Sequence, residues 1–154
     1  MRMLIMAVLA TGAWAQQVTV ESLPQFLAQA GYRATKIDDH SYTVTEHLGN
    51  HEFEMDICLS SSGRRVWLGA FIKGMSNPAQ ISDATYQRLM MANDEQGPGT
   101  FSIVECPSCT ANNRYKLYFD RPIDNRRLTV DVLHQEIKLF LESLAATENI
   151  WADK

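Results

Sequence analysis

The sequence predicts an α+β fold, a mainly antiparallel sheet with its helices on one face, in the order α-β-β-β-β-α-β-β-α. Three observations predict it. Two stretches of strict alternation, Ser41–Leu48 and His51–Leu59, flank the two-residue loop Gly49-Asn50 and read as a hairpin. Alternating runs recur at Val66–Lys73, Thr100–Glu105 and Arg114–Asp120. Three other segments space their apolar residues as helices do.

The first fifteen residues stand apart. Met1-Arg2 is a short positive start, Met3–Ala10 (MLIMAVLA) is apolar, and Ala13-Trp14-Ala15 places small residues before Gln16. This is the pattern of a secretory signal peptide over residues 1–15, leaving one domain at 16–154 and a periplasmic or secreted location.

Ser22-Leu23-Pro24-Gln25 has the spacing of a capping box, and Leu23, Phe26, Leu27 and Ala30 follow on one helical face. Gly31 can end that helix in a left-handed conformation. Tyr32–Ile37 reads as a strand closed by the turn residues Asp38-Asp39. Across the Gly49-Asn50 turn, Tyr42 faces Ile57, Val44 faces Met55, Thr43 faces Asp56, Thr45 faces Glu54 and His47 faces Glu52. Glu46 opposite Phe53 and Leu48 opposite His51 mix polar with apolar. A one-residue slip would turn one strand's apolar set to the wrong face, so the pattern specifies this register.

Ser60–Arg65 reads as a surface loop leading into the next strand, where Val66, Leu68, Ala70 and Ile72 continue the core face. Trp67 and Phe71 point the other way, beside the acidic residues Glu52, Glu54 and Asp56. Asn77-Pro78-Ala79-Gln80 is a second capping box, opening a helix that carries Ile81, Ala84, Leu89 and Ala92 inward and stops near Gln96–Gly99. Two strands follow, then Arg121–Asn125 as a linker. Thr129 caps a closing helix with Asp131 in its first turn and the stripe Leu133, Ile137, Phe140, Leu141 and Leu144.

Composition narrows the function. The chain of 154 residues carries 14 Lys+Arg against 18 Asp+Glu, a formal charge of −4, with no basic stripe to displace counterions from nucleic acid. No apolar run reaches the ~20 residues that span a bilayer. No cofactor motif is present.

Cys106-Pro107-Ser108-Cys109 lies between two strands and reads as a loop-tightening disulfide of an oxidising compartment. Cys58 is left over as an alternative partner for Cys106 or Cys109. The same pair suggests an alternative function, a small periplasmic thiol–disulfide oxidoreductase; that chemistry needs the first cysteine at a helix N-terminus. His47 and His51 straddle the hairpin turn on opposite faces, a poor arrangement for a metal. Glu52, Glu54 and Asp56 form a solvated or partner-facing acidic strip, with no nucleophile or phosphate loop beside them. Arg64-Arg65 and Arg126-Arg127 read as isolated solubilising pairs, and Met90-Met91 as packing residues.

A family resemblance rests on the helix ending in Ala30-Gly31-Tyr32, the acidic-faced strand Phe53–Leu59, the strand Trp67–Lys73, Ala92-Asn93 before a hairpin, Tyr118-Phe119-Asp120 and the closing helix from Thr129. In order and pattern these are similar to the YbjN family of bacterial proteins described as sensory transduction regulators. The resemblance implies a fold like that of type III secretion chaperones. It also implies a non-enzymatic domain that binds other proteins, often as a dimer, with no catalytic residues to carry over. The export signal and Cys106–Cys109 depart from the commoner cytoplasmic members. The expectation is therefore an exported protein-binding or regulatory domain. Its partner face holds Trp67, Phe71, Glu52, Glu54 and Asp56, and it takes a protein or peptide partner or a second copy of itself.

Overall fold

A computed structural model describes residues 17–48, 51–95 and 99–151. The signal-peptide expectation for residues 1–15, the turn residues Gly49-Asn50 and the stop signal at 96–98 lie outside the described residues.

Six strands form one antiparallel sheet: β1 (Ala34–Lys36), β2 (Ser41–Leu48), β3 (His51–Leu59), β4 (Arg65–Met75), β5 (Thr100–Glu105) and β6 (Tyr115–Asp124). Their spatial order is β1-β2-β3-β4-β6-β5. The β2–β3 register pairs Ser41 with Cys58, Val44 with Met55 and Leu48 with His51, as the alternation predicts. Val44, Met55, Ile57, Val66, Leu68, Leu117 and Phe119 line the buried face. Against it pack α1 (Leu23–Gln29), α2 (Asp83–Glu95), α3 (Val130–Ala146) and the short α4 (Glu148–Trp151). Every residue of the predicted α3 stripe is buried, and the Thr129 hydroxyl accepts from the Val132 amide at 3.2 Å. The fold class is the predicted one.

Several local expectations are corrected. Ser22 caps nothing as an N-cap. The box sits three residues earlier, where the Ser22 amide donates to Thr19 Oγ1 at 3.3 Å and the Thr19 amide donates to Ser22 Oγ at 2.9 Å. Leu23 N–H donates to the Thr19 carbonyl in the same turn. The other end follows expectation: Gly31 has φ +93° and the Tyr32 amide reaches back to the Leu27 carbonyl at 2.9 Å.

The second capping box closes only a short 3₁₀ turn, Pro78–Gln80, because Ile81 returns to an extended conformation. The true cap of α2 is Ser82, whose Oγ accepts from the Thr85 amide at 3.1 Å. That shift turns Ala84 to solvent, leaving Leu89 and Ala92 as the buried residues of α2. Met91 is also exposed, so the Met90-Met91 pair does not pack inward.

Residues Arg121–Asp124 are no linker; they extend β6 along β4, with Pro122 opposite Trp67. β5 ends its pairing at Asp120, so among the described residues this stretch has a neighbouring strand on one side only, where a proline's missing N–H is tolerated. Asn125 follows, fully buried. Its Oδ1 accepts from Val18 N, and its Nδ2 donates to the carbonyls of Val18 and Gly63.

Candidate functional site: a split in the sheet

The ladder between β3 and β4 is short. It joins Asp56–Leu59 to Val66–Gly69 and ends there. Beyond it, β3 continues to His51 alongside β2, and β4 continues to Met75 alongside β6. A bulge between Phe71 and Lys73 shifts the β4–β6 register in the same region, and bulges bend strands. The two strands part, and a cleft of about 630 Å³ opens between them.

One wall of the cleft carries Glu52, Glu54 and Asp56; the other carries Phe71, Lys116 and Tyr118. Leu144 of α3 and Glu148 and Trp151 of α4 reach it from the helical layer. Phe71 is 50% exposed, unusual for a phenylalanine, and its ring meets Tyr118 edge-on at 5.8 Å between centroids. The Lys116 ammonium lies 5.8 Å from the Phe71 centroid, within cation–π reach. His47 Nε2 stands 3.5 Å from a Glu52 carboxylate oxygen, an ion pair when the imidazole is protonated.

Four of the five predicted partner-face residues therefore surround one cleft, and Trp67 lies apart. It sits lower on the same face, half-buried between Cys58 and Pro122. Lys116, Tyr118, Leu144, Glu148 and Trp151 were not legible as site residues. Tyr118 meets Phe71 only because β6 inserts beside β4, out of chain order. Trp151 arrives through a break at Thr147, whose buried hydroxyl accepts from the indole N–H at 3.3 Å.

Between Trp67 and the cleft, two carboxylates flank Gly69. Asp56 accepts from Thr43 at 2.9 Å and Asp120 accepts from Ser102 at 2.6 Å. A Cβ on Gly69 would stand 3.0 Å from an Asp120 oxygen, so glycine lets that carboxylate lean over β4. Burial raises the Asp120 pKa, opposed by the Ser102 hydrogen bond. Burial, then the neighbouring Asp56, Asp120 and Asp38, raises the Cys58 thiol above its ordinary value, which keeps it protonated and a poor nucleophile.

Cys58 is free, and Cys106 and Cys109 are joined at 2.03 Å. Their loop is a tight turn between β5 and β6: the Cys109 amide donates to the Cys106 carbonyl, and the Cys106 amide to Arg114. Only a three-residue 3₁₀ turn, Ala111–Asn113, follows, so no helix N-terminus faces either sulfur. Among the described residues no group of three or more His, Cys, Asp or Glu side chains is placed to hold a metal. The arginine pairs, by contrast, are not isolated. Arg64, Arg65 and Arg126 line a second cleft together with Asp124, where Arg126 grips the Asp124 carboxylate at 2.6 Å.

This open antiparallel sheet with its one-sided helical layer occurs in known structures. YbjN from E. coli superposes with a TM-score of 0.62 at 12% identity, over 85% of this chain and 89% of that one. The chain has the YbjN-like, type III secretion chaperone fold. The ExsC–ExsE complex matches with a TM-score of 0.55 at 14% identity, over 86% and 92% of the two chains. The HopA1–SchA chaperone–effector complex matches with a TM-score of 0.52 at 16% identity, over 82% and 89%. At these identities the likeness is one of fold. No protein-family model and no curated protein sequence matches the chain.

Proposed function

We propose that this chain is a non-enzymatic, exported protein-binding domain that takes a protein or peptide partner on its uncovered sheet face. One observation carries the reading: the helices cover one side of the sheet, while the other keeps Phe71 half exposed beside Glu52, Glu54 and Asp56. An aromatic bordered by charge has the composition of an interface. The neighbours add support, since one of them is a chaperone solved with its effector. A second copy of the chain is the competing occupant of the same face. The Cys106–Cys109 bridge serves here as a loop staple, because its turn offers no dipole to stabilise a thiolate.

The test is capture from periplasmic extract with full-length tagged protein and the Trp67→Ala/Phe71→Ala variant. A discrete partner held by the parent and lost by an equally stable variant supports the reading; identical capture by both removes it. Light scattering after gel filtration identifies self-association as the alternative occupancy. N-terminal sequencing of the periplasmic form is expected to begin at Gln16, and retention of Met1 in the cytoplasm would refute export.

A further inference from the structure

We propose, resting on the protein-binding reading of this face, that the partner enters the split between β3 and β4 as a short extended segment alternating cationic and apolar side chains. The backbone supplies the first reason. The Ser60 amide donates across to the Arg65 carbonyl, so the alternation of an antiparallel pair turns Glu54 and Glu52 toward β4, and Gly69 and Phe71 toward β3. The ladder stops at Asp56 and Gly69. Past that point the backbone groups of Glu52, Glu54 and Phe71 face the cleft with no partner strand among the described residues. Two facing strand edges form a template for a third strand, and main-chain bonds then give affinity while alternate side chains give specificity.

The side chains of the cleft set the partner's chemistry. Successive residues of an inserted strand point to opposite faces. Those facing outward pass Glu52, Glu54 and Asp56, three carboxylates against the one ammonium of Lys116. Those facing inward meet Leu144 and Trp151, and Glu148, which already holds an interaction of its own. Lysine or arginine outward and an apolar residue inward is the pattern that satisfies both layers. The β3 run available, His51 to Met55, is matched by a segment of about five residues at ~3.4 Å each.

The experiment uses the full-length chain and two fluorescein-labelled peptides, one alternating lysine with valine and one alternating glutamate with valine. Fluorescence anisotropy is expected to show the basic peptide binding at least about tenfold more tightly. Glu52→Lys/Glu54→Lys should abolish that preference; both side chains are exposed, so the fold is retained. Asp83→Lys/Asp94→Lys changes net charge equally on α2 and should leave affinity unchanged. Amide exchange followed by NMR should show the Glu54 and Phe71 N–H groups gaining protection on binding. Equal affinity for both peptides, or equal loss in both variants, overturns the proposal. Protection confined to the row of Cys58 and Trp67 overturns insertion and leaves the open-face reading standing. So does failure of both peptides while partner capture remains sensitive to Trp67→Ala/Phe71→Ala.

Discussion

Asn125 shows how much one side chain can hold. Its amide makes three hydrogen bonds that join the N-terminal segment at Val18, the loop at Gly63 and the end of β6. Removing the amide leaves a buried N–H and two carbonyls without these bonds. Asn125→Ala is therefore expected to cost about 2–3 kcal/mol, read from the urea midpoint at constant slope. A second residue gives a pH signature. Burial raises the Asp120 pKa in the folded chain, so the native state holds that proton more tightly than the unfolded state does. Its contribution is present below the unfolded carboxyl range and is lost as pH rises through the folded value. Asp120→Asn removes the loss. The variant should be more stable than the parent at pH 7, and the gap should close as pH falls below ~3.9 in thermal melts across that range. Neither role was legible in the sequence, where Asn125 resembles any loop asparagine and Asp120 any strand-end aspartate; burial distinguishes both.

At the scale of elements, the strongest periodicities were the most readable. α3 buries the stripe its spacing prescribes, and the β2–β3 hairpin keeps the register its alternation prescribes, because a slip would expose an entire apolar face. Caps were less readable. Thr19-x-x-Ser22 and Ser22-x-x-Gln25 both have box spacing, and only the turn at residues 19–23 decides that Thr19 is the cap. Thr19→Ala should accordingly destabilise the chain by about 1 kcal/mol in chemical denaturation. The β5–β6 loop gives a bounded prediction. Cys106 and Cys109 are three residues apart, so their bridge closes a very small ring and removes little unfolded-state entropy. Cys106→Ser/Cys109→Ser should lower stability by no more than about 2 kcal/mol, and neither form should reduce insulin in a turbidity assay.

Over the whole molecule, the two layers are tied by more than apolar contact. Arg121 projects to the helical side of the sheet, nearly buried, and pairs with Glu136 of α3, while its Nε has no hydrogen-bond partner among the described residues. Removing one partner of such a pair strands a charge; replacing both does not. Glu136→Ala is expected to cost roughly 2–3 kcal/mol, less than a fully buried pair because Glu136 keeps partial access to water, whereas Arg121→Met/Glu136→Leu should lie within about 1 kcal/mol of the parent by thermal melt. No helix of the described residues is long and apolar enough to cross a membrane. Legible in the residues alone were local features: most element types, the hairpin register, the α3 stripe and the sheet face of Glu52, Glu54, Asp56, Trp67 and Phe71. These follow from side-chain periods of two and 3.6, which need only near neighbours. Tertiary structure alone decided that β6 lies between β4 and β5, that Tyr118 and Lys116 meet Phe71, and that β3 and β4 part over a cleft that Trp151 also lines. Strand order and a ladder's end depend on contacts between residues tens of positions apart, about which local periodicity carries no information.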